Sequence, residues 1–373
     1  MSPRMPESSC NDLSAQSLAI LQPSNVSHVD AKRRVRSYDL MRGLAVLGVL
    51  GVHTGQAFPS AIALFDYFVA FGRFGIQLFF FVSALTMCYM WEQRAEEKNP
   101  VKNFYIRRFF RIAPLFWLAI PVYLALNGFG ASYWAPEGIS IRQVSLTFLF
   151  LHGLWPDSIN SVVPGGWSIA IEMTFYLVFP PLVMLVGRRR LLYLIIGFLL
   201  WFFNVFFLRD FLLNYLAVHY HTQSATIIKD FIYLNFANQA VVFLLGCYLY
   251  FSLSRTGWLD IGLVFAWVLC GIFARDQFLL TVFAIGICVY LCIRLNMRLG
   301  LLELLGKNSY AIYLSHFAVL SALVILIPLK TGLLAFFLSL GLTIFISYLI
   351  SVALFFFVEK RFQRLASSIV GSR

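Results

Sequence analysis

The stretch "RSYDLMRGLAVLGVLGVHTGQAF", from Arg36 to Phe58, decides the fold class of this chain. It is long enough for a membrane helix, since about 20 mostly apolar residues cross the hydrocarbon core. It nevertheless carries Asp39, Arg42 and His53. A charged side chain at the bilayer centre costs about 2.5–3.5 kcal/mol on insertion scales, so it usually faces a partner or a water-filled cavity. The stretch therefore predicts a membrane helix that lines a polar interior.

The composition of the whole chain is that of a membrane protein. Of 373 residues, 60% are hydrophobic and only 12% are charged, whereas a soluble domain is roughly half apolar. Helix-length apolar runs occur at 38–58, 74–91, 112–126, 167–186, 190–208, 231–252, 257–274, 277–293, 309–328 and 333–357. We predict an all-α polytopic membrane protein with about ten transmembrane helices.

Loop charges predict the orientation of these spans. A basic cluster from Lys32 to Arg36 precedes the first run, and the positive-inside rule places it in the cytoplasm. With ten alternating spans, 22 of the 29 Lys and Arg residues are cytoplasmic, six lie outside, and Arg42 lies within a span. We therefore expect a multi-pass protein of the cell (inner) membrane, with the lipid bilayer as its setting and both termini in the cytoplasm.

One apolar run, Gln143 to Trp155, does not fit a full crossing. If it crossed, the basic cluster Arg188 to Arg190 would move outside, against the positive-inside rule. The sequence therefore predicts one re-entrant or interfacial segment here.

The ends of the chain indicate no further folded module. Residues 1–31 are polar and Ser-rich, which predicts a disordered cytoplasmic tail. One membrane domain is expected over 32–366 and a C-terminal cytoplasmic tail over 367–373. The net charge of +12 follows from basic loops that face an anionic leaflet, so no nucleic-acid binding is expected. The cysteines form no C-x-x-C pair, and we predict neither disulfide nor metal site.

The ionisable residues of the first span share one helix face. Arg42 and His53 are separated by about 16 Å along the axis, and Asp39 lies one turn before Arg42. The same helix carries a glycine stripe that another helix or a slender ligand could approach closely: Gly48, Gly51 and Gly55. Two interpretations stay open, namely an interfacial Asp39–Arg42 pair with a structural histidine, or a functional polar face.

A carboxylate is expected near His53. In "VPGGWSIAIEMTFYLVFP", Glu172 lies about a turn and a half into a span that enters from outside, at a depth similar to that of His53. A carboxylate beside an imidazole raises its basicity and fixes its tautomer. The alternative is that Glu172 extends to the outer surface.

Two arginines and a second histidine complete the set of candidates. Arg108 and Arg111 in "FYIRRFFRIAPLFW" lie at the cytoplasmic mouth of the third span, at a spacing that suits phosphate binding. A plain positive-inside anchor explains basic residues here too, and it is the favoured interpretation when the two arginines are taken alone. In "LGKNSYAIYLSHF", His316 lies two turns into a span, where a lone buried histidine is usually structural.

These stretches form five ordered motifs, and with them the sequence resembles the acyltransferase family 3 membrane enzymes. The first span contains the Arg-x10-His pattern at Arg42 and His53. The other four motifs are G-x-x-x-F-F-x-x-S at Gly75 to Ser83, R-x-x-R at Arg108 and Arg111, W-S-x-x-x-E-x-x-F-Y at Trp167 to Tyr176, and G-x-x-S-Y-x-x-Y-L-x-H at Gly306 to His316. The resemblance extends from about Arg36 to the closing "VEKRF".

The resemblance implies O-acylation of sugars and related acceptors. The donor would be cytoplasmic acyl-coenzyme A, most often acetyl-coenzyme A, as a co-substrate and not as a permanently bound cofactor. The acceptor would be a carbohydrate, a lipid-linked sugar or a glycosylated small molecule. His53 would act as general base or nucleophile, and Glu172 would orient it. Donor contacts are implied at Arg42, Arg108, Arg111, Ser309, Tyr313 and His316, and supporting positions at Asp39, Trp167 and Ser168.

The sequence departs from the family pattern at several positions, among them Gln77, where an acidic residue is common. Such changes affect the acceptor and the packing more than the reaction class. A proton-coupled transporter is the alternative function, because it also uses intramembrane His, Glu and Arg. That reading predicts repeated halves with broken helices, and no such repeat is found in the sequence.

Overall fold

The computed structural model describes residues 28–220, 224–253 and 257–371, with side chains from residue 36 onward. All regular elements in this part are helices, which confirms the all-α prediction. The α-helices are α1 (His28–Ala57), α2 (Ala63–Ala70), α3 (Gly75–Glu92), α4 (Pro100–Asn127), α5 (Ile141–Phe148), α6 (Gly166–Val186), α7 (Arg190–Phe203), α8 (Arg209–His219), α9 (Ala225–Leu234), α10 (Phe236–Ser252), α11 (Trp258–Phe273), α12 (Gln277–Arg294), α13 (Gly300–Lys307), α14 (Ser309–Leu326), α15 (Leu333–Leu354) and α16 (Lys360–Val370).

Eight helical segments of the described chain are long and apolar enough to cross a membrane. They are Ala63–Glu92, Pro100–Asn127, Gly166–Val186, Arg190–His219, Ala225–Ser252, Gln277–Arg294, Ser309–Leu326 and Leu333–Val370. Trp258–Phe273 is apolar but has only 16 residues, and α1 carries Arg42, His53 and Gln56 along its length. The polytopic architecture is confirmed, whereas the count of ten crossings stays a prediction.

Helix α1 packs against α13 at backbone contact. A Cβ added at Gly306 would lie 1.7 Å from the Asp39 carbonyl oxygen, and one at Gly43 would lie 2.0 Å from the Leu302 carbonyl oxygen. Only glycine allows so close an approach. Helices α3, α14 and α15 also contact α1, so the helix that carries Arg42 and His53 is surrounded by others.

The glycine stripe of α1 serves helix packing at two of its three positions. A Cβ at Gly72 would lie 2.1 Å from the Gly48 carbonyl oxygen, and a Cβ at Gly55 would lie 3.0 Å from Val69. The segment just before α3 therefore fills the groove at Gly48. Of the two partners expected for the stripe, a helix or a slender ligand, a neighbouring helical segment therefore occupies the Gly48 position.

The segment predicted to be re-entrant or interfacial contains most of the short helix α5 and a single 3-10 turn at His152–Leu154. With eight residues, α5 is about 12 Å long and cannot cross a bilayer. Ser140 and Gln143 form a capping box at its start. After α5 the chain turns back into the protein, where His152 Nε2 lies 3.0 Å from the Gly166 carbonyl oxygen. The start of α6 is therefore held below the surface.

The predicted tails and domain bounds stay predictions. Residues 1–27 and 372–373 lie outside the described residues. Helix α16 ends at Val370, so the helix extends beyond the predicted domain end at residue 366.

Candidate active site

Two cavities lie between the helices, and helices α1, α3, α4, α6 and α14 line both. The inner cavity has a volume of about 70 Å³, and its lining includes Arg42, Ser83, Arg108, Arg111, Glu172 and Tyr310. The outer cavity has a volume of about 540 Å³, and its lining includes His53, Gln77, Asn160, Trp167, Tyr233 and Phe317. In α1, α4 and α14, the residues that line the inner cavity precede those that line the outer cavity in the sequence, and in α3 and α6 the order is reversed. The two cavities therefore lie one above the other along the helix axes. We call them inner and outer because the predicted orientation places the first toward the cytoplasm.

Three arginines from two helices meet at the inner cavity: Arg42, Arg108 and Arg111. Arg42 donates hydrogen bonds to Asp39 Oδ1 at 2.9 Å and to Thr86 Oγ1 at 2.5 Å. Arg108 is buried and Arg111 is exposed, and neither forms an ion pair with a described residue. Guanidinium groups without a carboxylate partner suit the binding of an anion such as phosphate.

The neighbouring Arg107 does not belong to this cluster. It pairs with Glu97 Oε2 at 2.8 Å on the loop between α3 and α4. Burial of the Glu97 carboxyl opposes ionisation, but hydrogen bonds from Arg107 and Asn103 outweigh burial and lower the pKa of Glu97. Because its charge is already neutralised, Arg107 is a natural comparison for Arg108.

Glu172 lies at the inner cavity and not beside His53. Its Oε1 accepts hydrogen bonds from Ser83 at 2.7 Å and from Tyr176 at 2.5 Å, and no hydrogen bond joins it to His53 within the described residues. The predicted His53–Glu172 contact is therefore wrong. The reason is that α6 begins at the buried Gly166, so that Glu172, about 9 Å further along the helix, reaches the level of the arginines.

His53 lies on the outer cavity and is half-buried. Its Nδ1 is 2.9 Å from Gln56 Oε1. Because an amide oxygen can only accept, this contact puts the proton on Nδ1 and leaves Nε2 as the basic nitrogen. The residue predicted to be the base or nucleophile therefore lies in the lining of the larger cavity.

His316 packs behind His53 and not at the donor position predicted for it. It is fully buried and belongs to the lining of neither cavity. Its Nδ1 donates to the Tyr313 carbonyl oxygen at 2.6 Å, and its ring centre is 5.4 Å from that of His53. Tyr313 and His316 are three residues apart and lie near the same face of α14, so the difference comes from tertiary packing, which places His316 against His53 of α1.

The remaining predicted positions divide between the two cavities. Ser309 and Ser168 line the inner cavity, Trp167 lines the outer cavity, and Tyr313 lines both. The Tyr313 hydroxyl donates to the Gly165 carbonyl oxygen at 2.9 Å and lies 3.0 Å from Ser168 Oγ. Tyr313 and Ser168 thus fix the entrance of α6 between the two cavities.

The outer cavity combines aromatic rings with amide groups. Gln77 Nε2 donates to Gln239 Oε1 at 3.1 Å, and Gln239 Nε2 donates to the Tyr233 carbonyl oxygen at 2.8 Å. Because the carbonyl can only accept, this chain fixes the orientation of both amides. Gln77 Oε1 and Asn160 Oδ1 are left without a partner among the described residues. Such buried oxygens favour a ligand that donates hydrogen bonds.

Sequence reasoning missed two side chains that hold the inner cavity together. Thr86 binds Arg42, and Tyr176 binds Glu172. Thr86 follows Ser83 by three residues and Tyr176 follows Glu172 by four, so helical spacing alone would have placed each on the face of a known candidate. The outer-cavity loop at residues 127–134 gives no such signal. Within the described ranges no group of three or more His, Cys, Asp or Glu could hold a metal ion.

Comparison with known proteins agrees with the motifs. Residues 35–352 match the acyltransferase 3 family model, described as an acyltransferase domain. One curated relative, the peptidoglycan O-acetyltransferase OatA of Listeria monocytogenes serovar 1/2a, is 27% identical over 164 residues, which are 40% of this chain and 24% of that protein. The match therefore spans about a quarter of that relative's length. No solved structure matches the chain. Because the family model covers most of the sequence, this protein is a membrane enzyme that belongs to the acyltransferase 3 family.

Proposed function

We propose that this enzyme moves an acyl group, acetyl in the first instance, from acyl-coenzyme A to a hydroxyl of a carbohydrate acceptor. The observation that carries the proposal is a cationic inner cavity stacked on a larger outer cavity of rings and amides, with His53 on the outer one. The name of the peptidoglycan O-acetyltransferase relative supports an acetyl group and a peptidoglycan-like acceptor.

The inner cavity suits the donor. Arg108 and Arg111, with no carboxylate partner of their own, would hold the coenzyme A phosphates, with Arg42 deeper. One water needs roughly 10–15 Å³, so a cavity of about 70 Å³ is too small for a nucleotide. The nucleotide therefore stays at the mouth while the slender arm that bears the thioester enters.

The outer cavity suits the acceptor. Its volume of about 540 Å³ is within the roughly 300–1,000 Å³ usual for small-molecule sites. Trp167 offers a ring face for a sugar, and the unpartnered oxygens of Gln77 and Asn160 would accept hydrogen bonds from its hydroxyls.

Chemistry at His53 follows from its free Nε2. As general base, Nε2 takes the proton of the acceptor hydroxyl while the oxygen attacks the thioester carbonyl carbon. The C–S bond then breaks, and the departing thiolate takes that proton. As nucleophile, Nε2 itself displaces the thiolate and then passes the acyl group to the hydroxyl. Both routes end in an ester and free coenzyme A.

Glu172 serves the donor side in this proposal. Its carboxylate fixes Ser83 and Tyr176 and balances part of the charge of the three arginines. Gln56, and not Glu172, orients His53 through its hydrogen bond. The arrangement therefore differs from a triad in which the carboxylate directly contacts the base.

The test is a transfer assay on the purified full chain in nanodiscs. Radiolabelled acetyl-coenzyme A is supplied with peptidoglycan fragments, chitotetraose or maltotetraose, and alkali-labile label on the sugar is measured. We expect ester formation on at least one sugar by the wild type and by Arg107→Ala, and none by His53→Ala. Absence of labelled ester on every sugar would contradict the proposal.

A further inference from the structure

The inner and outer cavities meet at two side chains. Within the described residues, Ile76 of α3 and Tyr313 of α14 are the members common to both linings. Both are nearly buried, with exposures of 7% and 6%. We name this pair the throat. It separates the arginines of the inner cavity from His53; on α1, Arg42 and His53 are about 16 Å apart along the axis.

Tyr313 is held firmly in the throat. Its hydroxyl donates to the Gly165 carbonyl oxygen at 2.9 Å and lies 3.0 Å from Ser168 Oγ. Gly165 has a φ of +74°, and a Cβ there would lie 2.5 Å from the Tyr313 hydroxyl. Glycine therefore allows the tyrosine to rest on the entrance of α6, where any side chain would displace it.

The other route between the cavities is filled. The Gly48 position of the α1 stripe is in backbone contact with Gly72, so an extended chain cannot pass there. If phosphates bind at the arginines and the acyl carbon reaches His53, the acyl end of the donor must enter between Ile76 and Tyr313.

We propose that the throat formed by Ile76 and Tyr313 determines which acyl chain the enzyme accepts. This inference rests on the proposed function. An unbranched acyl chain is no wider than the methylene arm that carries it, whereas an acyl group branched beside its carbonyl carbon must displace a tyrosine fixed by two hydroxyl contacts. Ile76, which has no polar contact, sets the remaining width. The throat therefore restricts transfer to unbranched acyl groups and keeps the two cavities separate when no donor is bound.

The kinetic test uses acetyl-, butyryl- and isobutyryl-coenzyme A with the full chain in nanodiscs. Ile76→Ala should raise the ratio of isobutyryl to butyryl kcat/KM about tenfold, the scale of discrimination for one methylene-sized group. Ile76→Trp should abolish transfer from all three donors while coenzyme A still binds. Ile139→Ala is the matched control, because Ile139 lines the outer cavity away from the throat, and its ratio should not change.

A second readout does not depend on catalysis. In a background without the native cysteines, Ser83→Cys places a thiol on the inner cavity. An impermeant thiol reagent should label it from one side of the membrane only, and from both sides once Ile76→Ala is added.

The outcomes separate this inference from the proposed function. Labelling from both sides without Ile76→Ala, or an unchanged ratio of isobutyryl to butyryl kcat/KM in Ile76→Ala, contradicts the proposed role of the throat. One-sided labelling that becomes two-sided in Ile76→Ala, with no acyl transfer from any donor, supports the barrier and instead contradicts the acyltransfer chemistry proposed above.

Discussion

The inner and outer cavities are lined by the same five helices, yet their chemistry differs. The inner cavity is narrow and carries three arginines against one carboxylate. The outer cavity is about 540 Å³ in volume and is lined mostly by rings, amides and loop backbone, with Arg73 and His53 as its charged or titratable members besides tyrosines. Because charged groups bind charged ligands and amides bind neutral hydroxyls, this difference supports the proposal that donor and acceptor bind in separate cavities.

This division also explains how intramembrane charges persist in the chain. Arg42 is satisfied by Asp39 and Thr86, and Glu172 by Ser83 and Tyr176. Each charged group thus has a neighbour that limits the cost of leaving water. Substitutions in one cavity should therefore weaken the binding of one substrate and leave the binding of the other unchanged.

The largest expected effect is that of His53→Ala. Loss of a general base or nucleophile should reduce transfer roughly 10²–10⁴-fold, while donor affinity stays near that of the wild type because the arginines are about three turns away. Transfer is measured with labelled acetyl-coenzyme A and donor affinity by calorimetry. His219→Ala is the control, since His219 lies on α8 away from both cavities. If His53→Ala retained most of its transfer activity, the reaction would not take place at His53 in the outer cavity.

Arg108→Ala should mainly weaken donor binding. Loss of a charge-assisted contact costs about 1.5–3 kcal/mol, which is roughly a 10- to 150-fold rise in the coenzyme A Kd. Arg107→Ala removes the same charge one residue away, but from a side chain already paired with Glu97, and should change the Kd little. If the two variants bind coenzyme A equally well, Arg108 is only a membrane anchor.

Trp167→Ala should act on the acceptor alone. An aromatic contact contributes about 0.5–1.5 kcal/mol beyond its area, so the acceptor KM should rise roughly 2- to 13-fold and the coenzyme A Kd should stay constant. Trp258→Ala, at a side chain 90% exposed, is the control for loss of an indole. A change in donor affinity with an unchanged acceptor KM would indicate instead that the outer cavity binds the donor.

Glu172→Gln should leave the pH dependence of the transfer rate unchanged. The acid limb of that dependence is the fall in rate at low pH, where His53 becomes protonated and can no longer act as a base. A carboxylate in contact with an imidazole stabilises its protonated form, so removal of a true partner would move the acid limb to lower pH. Glu172 has its hydrogen bonds to Ser83 and Tyr176 instead, and the limb should stay in place. Gln56→Ala, which removes the hydrogen-bond partner of His53, should alter that limb. A shift of the acid limb in Glu172→Gln would support the contact between His53 and Glu172 that was predicted from the sequence.

The helical architecture and the arginine cluster were predictable from the sequence. Runs of apolar residues predict membrane helices because an uninterrupted helix alone satisfies its backbone there. The i,i+3 spacing of Arg108 and Arg111 places both on one face, and the structure brings them to the cavity that Arg42 lines.

Depth and sidedness within the membrane were not predictable in the same way. The position of Glu172 depends on where the segment before α6, which contacts the Gly166 carbonyl oxygen through His152, places the start of that helix, and sequence spacing does not encode this depth. His316 follows Tyr313 by three residues, yet one lines the cavities and the other packs against His53. The difference depends on which neighbouring helices surround α14, and this is set by tertiary packing.

The central claim is that donor and acceptor occupy separate cavities joined at Ile76 and Tyr313. The most direct measurement is a cryo-EM structure of the full chain in nanodiscs with a thioether analogue of acetyl-coenzyme A that cannot transfer its acyl group. The account predicts phosphates in contact with Arg108 and Arg111 and the acyl end between Ile76 and Tyr313, directed toward His53. Phosphates bound in the outer cavity, or an acyl end that lies elsewhere than between Ile76 and Tyr313, would contradict it.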